Sequence, residues 1–284
     1  MQKRSQSKEV WRRLKKNKMA MGGLIILGVV LFLAIFAGQI FDYDTAVIKQ
    51  HIIDRLQGPS VSHWLGTDEF GRDILARLVY GSRVSLIVGI SSVAFSVVLG
   101  GILGALAGYY GGKIDNIIMR IMDVFLAIPS ILLAICIVAA LGGNMVNLII
   151  AIGISYIPSF ARVVRASVLG VKDEEFVESA KAIGATDKTI IFREIIPNCM
   201  APIIVQATLS VAGAILSTAG LSFIGLGIAP PEPEWGSMLA GGRIYIRDAV
   251  HITLFPGLAI VITILALNLL GDGLRDALDP RLKQ

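Results

Sequence analysis

The sequence predicts an all-α, polytopic membrane protein with six transmembrane helices, and three observations predict it. Hydrophobic residues make up 55% of the 284 positions, and the mean hydropathy is +0.73. Charged residues make up only 17%, whereas soluble chains carry about 25%. Several apolar runs reach the roughly 20 residues that a helix needs to cross the hydrocarbon core. Inside lipid each backbone polar group must be satisfied within its own segment, so such runs read as helices.

The first element is a basic N-terminus, residues 1–18, with Lys3, Arg4, Lys8, Arg12, Arg13, Lys15, Lys16 and Lys18. It stands directly before the first span, residues 19–41, and holds that end in the cytoplasm. The net charge of +5 is thus concentrated in a membrane flank, which disfavours a nucleic-acid partner. The run 19–41 exceeds the roughly 7–15 residues of a signal-peptide core. No small-residue cleavage site follows it, so it reads as a retained anchor.

An extracytoplasmic loop, residues 42–83, comes next. After Gly66-Thr67-Asp68-Glu69, the residues Ile74, Leu75, Leu78 and Val79 share one helical face, and Arg72, Asp73 and Arg77 share another. The pattern predicts an amphipathic helix on the membrane surface, capped by Thr67 or Asp68. The second span, 84–109, carries Gly100, Gly104 and Gly108 at four-residue spacing. The fifth, 200–224, carries Ala207, Ala212, Gly213, Ala214, Ala219 and Gly220. Small residues let backbones approach closely, either within this chain or against a second subunit.

Pro129 in the third span, 117–141, and Pro158 in the fourth, 145–164, each remove a backbone donor and are expected to kink or break their helices. Such kinks line pathways or belong to ordinary bundles. Arg120 and Asp123 stand three apart near the cytoplasmic end of the third span. They read as a structural ion pair rather than an intramembrane functional charge. In the last outer loop, Pro230, Pro231 and Pro233 stiffen the chain and Trp235 suits an interfacial position. That loop either docks a partner or caps the bundle. The sixth span, 252–271, ends in a tail, 272–284, with Arg275, Arg281 and Lys283. An even number of spans puts both termini on one side. That side holds most of the 26 Lys and Arg, so both termini read as cytoplasmic.

Between the fourth and fifth spans lies a cytoplasmic loop, 165–199, inside a transmembrane domain of residues 84–271. Asp173, Glu174 and Glu175 lead into Phe176, Val177, Ala180 and Ile183 at helical spacing. Gly184 ends this helix and Thr186 or Asp187 starts another. Isolated helices this short are marginal in water. They are expected either to dock in a partner's groove or to lie on the inner membrane surface.

Catalytic and metal chemistry find no support. His51, His63 and His251 all fall in outer segments and form no HExxH motif, and no GxxxxGK[ST] loop is present. Cys136 and Cys199 lack metal or disulfide spacing. Ser155 and Tyr156 have no His or Lys at depth to act as a base. An ion-coupled secondary transporter needs ionisable residues near the midplane. Spans five and six offer essentially none, with Asn268 close to an end.

The loop also carries Glu178-Ser179-Ala180, then Gly184, then Ile196-Pro197. This resembles the EAA motif of ATP-binding-cassette importer permeases. Ser179, Glu194 and Ile196 depart from the commonest pattern, and Glu194 with Phe192-Arg193 and Pro197-Asn198 resembles its peptide branch. Leu65-Gly-Thr-Asp-Glu-Phe-Gly-Arg-Asp73, Gly108-Tyr-Tyr-Gly-Gly112, Arg120-Ile-Met-Asp123 and Pro231-Glu-Pro-Glu-Trp-Gly236 resemble peptide and nickel permeases in the same order. The resemblance is to the second, C-type permease subunit. It implies a type I importer permease fold, with one N-terminal helix plus a five-helix core, in the inner membrane of a prokaryote.

The resemblance further implies a non-catalytic subunit with no cofactor of its own, ATP and Mg being bound on partner ATPases. Implied partners are a homologous second permease, two cytoplasmic ATPases and an extracytoplasmic substrate-binding protein, in lipid. The implied cargo is a short peptide, with nickel or another metal chelate as the alternative. Glu178, Ser179, Ala180, Ala182, Gly184 and Ala185 are the implied ATPase-coupling residues. Arg120, Asp123, Pro129 and Pro158 are gating candidates. Asp68, Arg72, Asp73, Glu234 and Trp235 are candidates for docking the binding protein.

Overall fold

A computed structural model describes residues 6–278, which form helices joined by short turns and two longer loops. In order these are α1 Gln6–Lys16, α2 Lys18–Ile40, α3 Ile74–Tyr110, α4 Gly112–Leu126, α5 Ser130–Leu141 and α6 Met145–Val171. Then follow α7 Glu175–Ala182, α8 Asp187–Thr189, α9 Ile196–Asn198, α10 Met200–Phe223, α11 Trp235–Gly242 and α12 His251–Leu278. Five of them, α2, α3, α6, α10 and α12, are long and apolar enough to cross a membrane. The pair α4 and α5, bent by 85° at its break, forms either a broken sixth span or a re-entrant loop. One face of the bundle, the near face, carries α1, the α3–α4 junction and α7 to α9. The opposite, far face carries residues 41–73 and α11.

The pairing of α3 with α6 organises the bundle, and the glycines explain it. A Cβ on Gly100 would lie 2.7 Å from Phe160 Cβ. One on Gly104 would lie 2.9 Å from Val164 Cβ, and one on Gly108 2.8 Å from Val168 Cβ. Three positions at four-residue spacing on α3 thus meet three at the same spacing on α6. The glycine stripe is consumed inside this chain, which settles its open reading. Ser96 Oγ adds a 2.6 Å hydrogen bond to the Gly153 carbonyl across the same seam. The small residues of α10 also pack internally: Ala212, Ala214 and Ala219 are buried, and Gly213 faces Tyr156.

The first span is held at its base. Asn17 caps α2 by accepting from the Met19 and Ala20 amides at 3.1 Å. Gly23 lets α2 approach the backbone of α12 at Ala266. Elsewhere α2 exposes Ile25, Val29, Phe32 and Ile35, an apolar surface suited to lipid.

Several expectations change. The outer helix over 66–83 is not a separate surface helix. It is the first turns of α3, which runs unbroken for 37 residues. Its cap is Asp73, whose Oδ1 accepts from the Ala76 amide at 2.9 Å, rather than Thr67 or Asp68. The apolar face of Ile74 and Val79 is buried in the bundle, so no membrane surface is needed to cover it. Pro129 does mark a break, at the N-cap of α5. Pro158 does not: it is buried within a continuous α6, where packing from α3 holds the helix on course. Helices α6 and α12 run seven residues past the ends expected of spans four and six.

Arg120 and Asp123 do not pair with each other. Asp123 Oδ1 instead sits 2.5 Å from Arg162 Nη2 on α6. Asp115 grips Arg165 through two oxygens, at 2.5 and 2.6 Å. An i,i+3 pair on one helix competes poorly with a planar guanidinium offered end-on from a neighbour. These contacts tie α4, after its sharp departure from α3, back to α6. Asp115→Arg is expected to lower stability by about 1 kcal/mol, the upper end for a partly exposed pair. The exchange Asp115→Arg with Arg165→Asp is expected to recover most of it. Thermal melting of the purified complex checks both; no recovery in the exchanged chain would refute a pairwise role.

Candidate functional site

The loop between α6 and α10 is built from the inside out. Helix α7 has Glu175 and Glu178 in its first turn, where the helix dipole favours negative charge. Val177 and Ala180, three apart, are its buried face. They pack on Ile190, Ile191 and Ile195 of the returning strand of the loop, on Val164 and Val168 of α6, and on Ala105 of α3. A π-turn over Ile190–Ile195 separates α8 from α9. Its wider winding turns Ile190, Ile191 and Ile195 all inward. The two short helices therefore do not project bare into water. Their apolar faces close on the parent bundle, and this compensates for their shortness.

The turn between them is a Schellman motif. Gly184 has φ +80°. The Gly184 amide donates to the Lys181 carbonyl at 3.0 Å, and the Ala185 amide to the Ala180 carbonyl at 3.1 Å. These satisfy carbonyls that the helix end leaves open. Thr186 then caps α8. Tyr109 of α3 pins both halves of the loop. Its hydroxyl donates to Asp187 Oδ1 at 2.8 Å, and Lys181 Nζ sits 5.7 Å from its ring centre.

This architecture sorts the coupling residues. Glu178, Ser179, Ala182 and Gly184 are exposed, and Ala185 is half-buried. Ala180 is the exception: it is only 9% exposed and fills the chain's own core rather than a partner's. The sequence spacing groups Ile183 with Val177 and Ala180, but Ile183 is 85% exposed. It lies one residue before the left-handed glycine, where the helical period has already ended. Phe176 and Phe192 are also exposed on this loop. Ile183 and Tyr109 escape the sequence reading. The only signal for Ile183 is its place beside Gly184, and nothing local signals Tyr109, 78 residues from its partner.

On the far face, four of the five docking candidates are structural. Asp68 and Arg72 are each 4% exposed and bonded to each other at 2.7 Å. Asp68 also forms an ion pair with Arg77 at 3.3 Å. Glu234 is buried and caps α11, accepting from the Gly236 and Ser237 amides at 2.9 and 2.8 Å. Trp235 is 2% exposed, and its Nε1 donates to the Leu78 carbonyl at 3.0 Å. It is a core anchor rather than an interfacial residue. Asp73, the α3 cap, is half-buried and sits 2.8 Å from His63 Nδ1. These side chains hold the outer segments onto α3 and leave little for a partner to touch. Burial pushes the neighbouring Glu69 carboxyl above the usual carboxylate range.

Known proteins match this chain along nearly its whole length. Residues 100–284 match the family of binding-protein-dependent transport system inner membrane components. Residues 5–59 match the N-terminal transmembrane domain of oligopeptide transport permease C. The dipeptide transport system permease protein DppC of Alkalihalophilus pseudofirmus is 51% identical over 97% of this chain and 90% of that protein. The di/tripeptide transport system permease protein DppC of Pseudomonas aeruginosa is 46% identical over 97% and 92%. The glutathione transport system permease protein GsiD of Pectobacterium atrosepticum is 47% identical over 97% and 91%. Among solved structures, an inward-facing MetNI methionine ABC transporter chain superimposes with a TM-score of 0.59 at 20% identity. It covers 72% of this chain and 96% of that one, a likeness of fold alone. The helices from α3 onward, the loop with its Schellman turn and these matches agree: the chain belongs to the binding-protein-dependent transport system inner membrane components, the permease subunits of ATP-binding-cassette importers.

Proposed function

We propose that this chain forms half of an ATP-driven import pathway for short peptides and receives its driving force through α7. The observation that carries the coupling role is the exposed tip Ile183-Gly184, an apolar side chain held outward by a rigid turn. Ile183 is 85% exposed and gives a docking partner an apolar anchor at the tip of the loop. Glu178, Ser179 and Ala182 flank it on the exposed side of α7. Ala180 and Ala185 support it from beneath. The dipeptide and di/tripeptide names of the relatives support the peptide cargo.

The remaining partners follow from this role. Two cytoplasmic ATPases engage the loop of this chain and of a homologous second permease, and an extracytoplasmic binding protein delivers the peptide. The near face is then cytoplasmic, in keeping with its Lys and Arg. ATP and Mg act on the ATPases, so this chain holds no cofactor and catalyses nothing. The bent α4–α5 pair with Pro129, and the Asp123–Arg162 contact, lie where a gate between the faces could move; Arg120 and Pro158 are the weaker gating candidates.

Ile183→Asp is expected to lower peptide uptake roughly tenfold, the effect of losing about 1.4 kcal/mol at an interface anchor. The amount of chain in the membrane should stay unchanged. Uptake in reconstituted vesicles measures it, with ATP and the binding protein supplied. Normal uptake in the variant would remove Ile183 from the coupling surface. Uptake driven by an ion gradient without ATP would overturn the mechanism as a whole.

A further inference from the structure

The far face encloses a cavity of about 550 Å³, within the range of small-molecule sites. The loop before α3, the C-terminal end of α10 and helix α11 form its walls. Its wall chemistry is unusual for a membrane bundle, with Asp68, Glu69, Arg72, Arg77, Glu232 and Arg243 all lining it. Most of these charges are already committed. Asp68 pairs with two arginines, and Arg77 Nη1 donates to the Val47 carbonyl at 2.8 Å.

Three charges, Glu69, Glu232 and Arg243, are left without a close partner among the described residues. Glu69 has Arg72 4.0 Å away and Arg77 within electrostatic reach. Arg243 has only a long contact, 3.4 Å, to the Phe223 carbonyl and the Phe223 ring beside it. The Glu69 carboxylate is kept in place by the absence of a side chain at Gly241, where a Cβ would lie 2.7 Å from Oε1. That contact sets it beside the end of α11, whose C-cap is Arg243.

We propose that this cavity is a binding site for a zwitterionic dipeptide, with its α-ammonium on Glu69 and its carboxylate on Arg243. The proposal rests on the peptide reading above and goes beyond it, because it gives the permease its own ligand contacts. The charges decide the ligand class. Asp68, Glu69, Arg72 and Arg77 sum to zero, and Glu232 and Arg243 balance each other. A zwitterion enters without disturbing that balance, whereas a lone cation or anion leaves one sign uncompensated. A metal cation is disfavoured further, since among the described residues no three His, Cys, Asp or Glu side chains converge. Phe223 and Met238 supply apolar wall for the dipeptide's side chains. The upward displacement of the Glu69 carboxyl fits a group that lacks a tight cationic partner until the ligand brings one.

The test uses the whole transporter complex without its binding protein, in lipid nanodiscs. Binding of Ala-Ala is compared with N-acetyl-Ala-Ala, which lacks the ammonium, and with Ala-Ala amide, which lacks the carboxylate. Each blocked peptide should bind roughly tenfold more weakly, the effect of one charge-assisted contact. Glu69→Gln should weaken Ala-Ala roughly tenfold and abolish its advantage over the N-acetyl form. Arg243→Gln, at an exposed position, should do the same against the amide. Gly241→Ala should mimic Glu69→Gln by displacing the carboxylate. No saturable binding by the wild type, or variants that shift all three peptides equally, would overturn the site. ATP-dependent uptake of Ala-Ala with the binding protein present separates the two levels. If uptake is intact but the crossed pattern is missing, only this site falls; if uptake is absent, the peptide reading falls and the site with it.

Discussion

Asp68→Asn is expected to destabilise the far face by about 3–5 kcal/mol, the cost of leaving buried charges without their counter-ion. Among the described residues Asp68 is the only acid that pairs with both buried arginines. Its Oδ2 accepts from Arg72 Nε at 2.7 Å and forms an ion pair with Arg77 Nε at 3.3 Å. Its Oδ1 accepts from the Phe70 and Arg72 amides, both at 2.9 Å. Asn keeps the shape and one acceptor but aims an NH₂ at two guanidinium groups. Arg77 in turn holds residues 43–48 through the Val47 carbonyl. Loss of the carboxylate should therefore loosen that whole segment. Thermal melting and limited proteolysis of the 42–73 loop measure the effect. A variant as stable and as protease-resistant as the wild type would show that these arginines are solvated rather than dependent on Asp68.

Gly184→Val is expected to reduce peptide uptake about ten- to hundredfold while the chain inserts and folds normally. A β-branched residue at φ +80° costs on the order of 1–3 kcal/mol, and tenfold corresponds to about 1.4 kcal/mol. The strain falls on the Schellman turn that aims Ile183. Space is not the obstacle: a Cβ at Gly184 meets nothing within 4 Å. Gly184→Asn separates the causes, since Asn tolerates the left-handed region. Asn is expected to retain most of the uptake. If Asn fails as badly as Val, the cause is bulk against a docked partner. If Val transports normally, the turn does not set the coupling geometry.

Both predictions concern features that the sequence discloses unequally. Gly184 is legible: a glycine after a helical pattern, followed by Thr186, signals a left-handed helix end from local rules alone. Its neighbour Ile183 is not, because its outward direction depends on the turn having ended the helical period. Asp68 was legible as a charged residue near a helix start, yet its meaning inverted. It reads as a cap or a docking side chain, and the fold makes it the buried counter-ion of Arg72 and Arg77. Trp235 inverted likewise, from an interfacial anchor to a core residue against Leu78 and Gly81.

The same division runs through the spans. Apolar length and the basic flank determine that there are helices and which segments supply them, because lipid tolerates no unsatisfied backbone and few charges. The Gly100, Gly104 and Gly108 stripe determines that α3 has a close neighbour. What only the tertiary structure decided is which neighbour. Phe160, Val164 and Val168 lie on α6, and no local rule links two stripes 60 residues apart. The partner of Asp123 was decided in the same way. Arg120 is near in sequence, but Arg162 presents its guanidinium from across the interface. Periodicity and composition are properties of one segment, so the sequence states them openly. Burial, ion pairing and exposure are properties of two segments at once, and they come into being only when the helices pack.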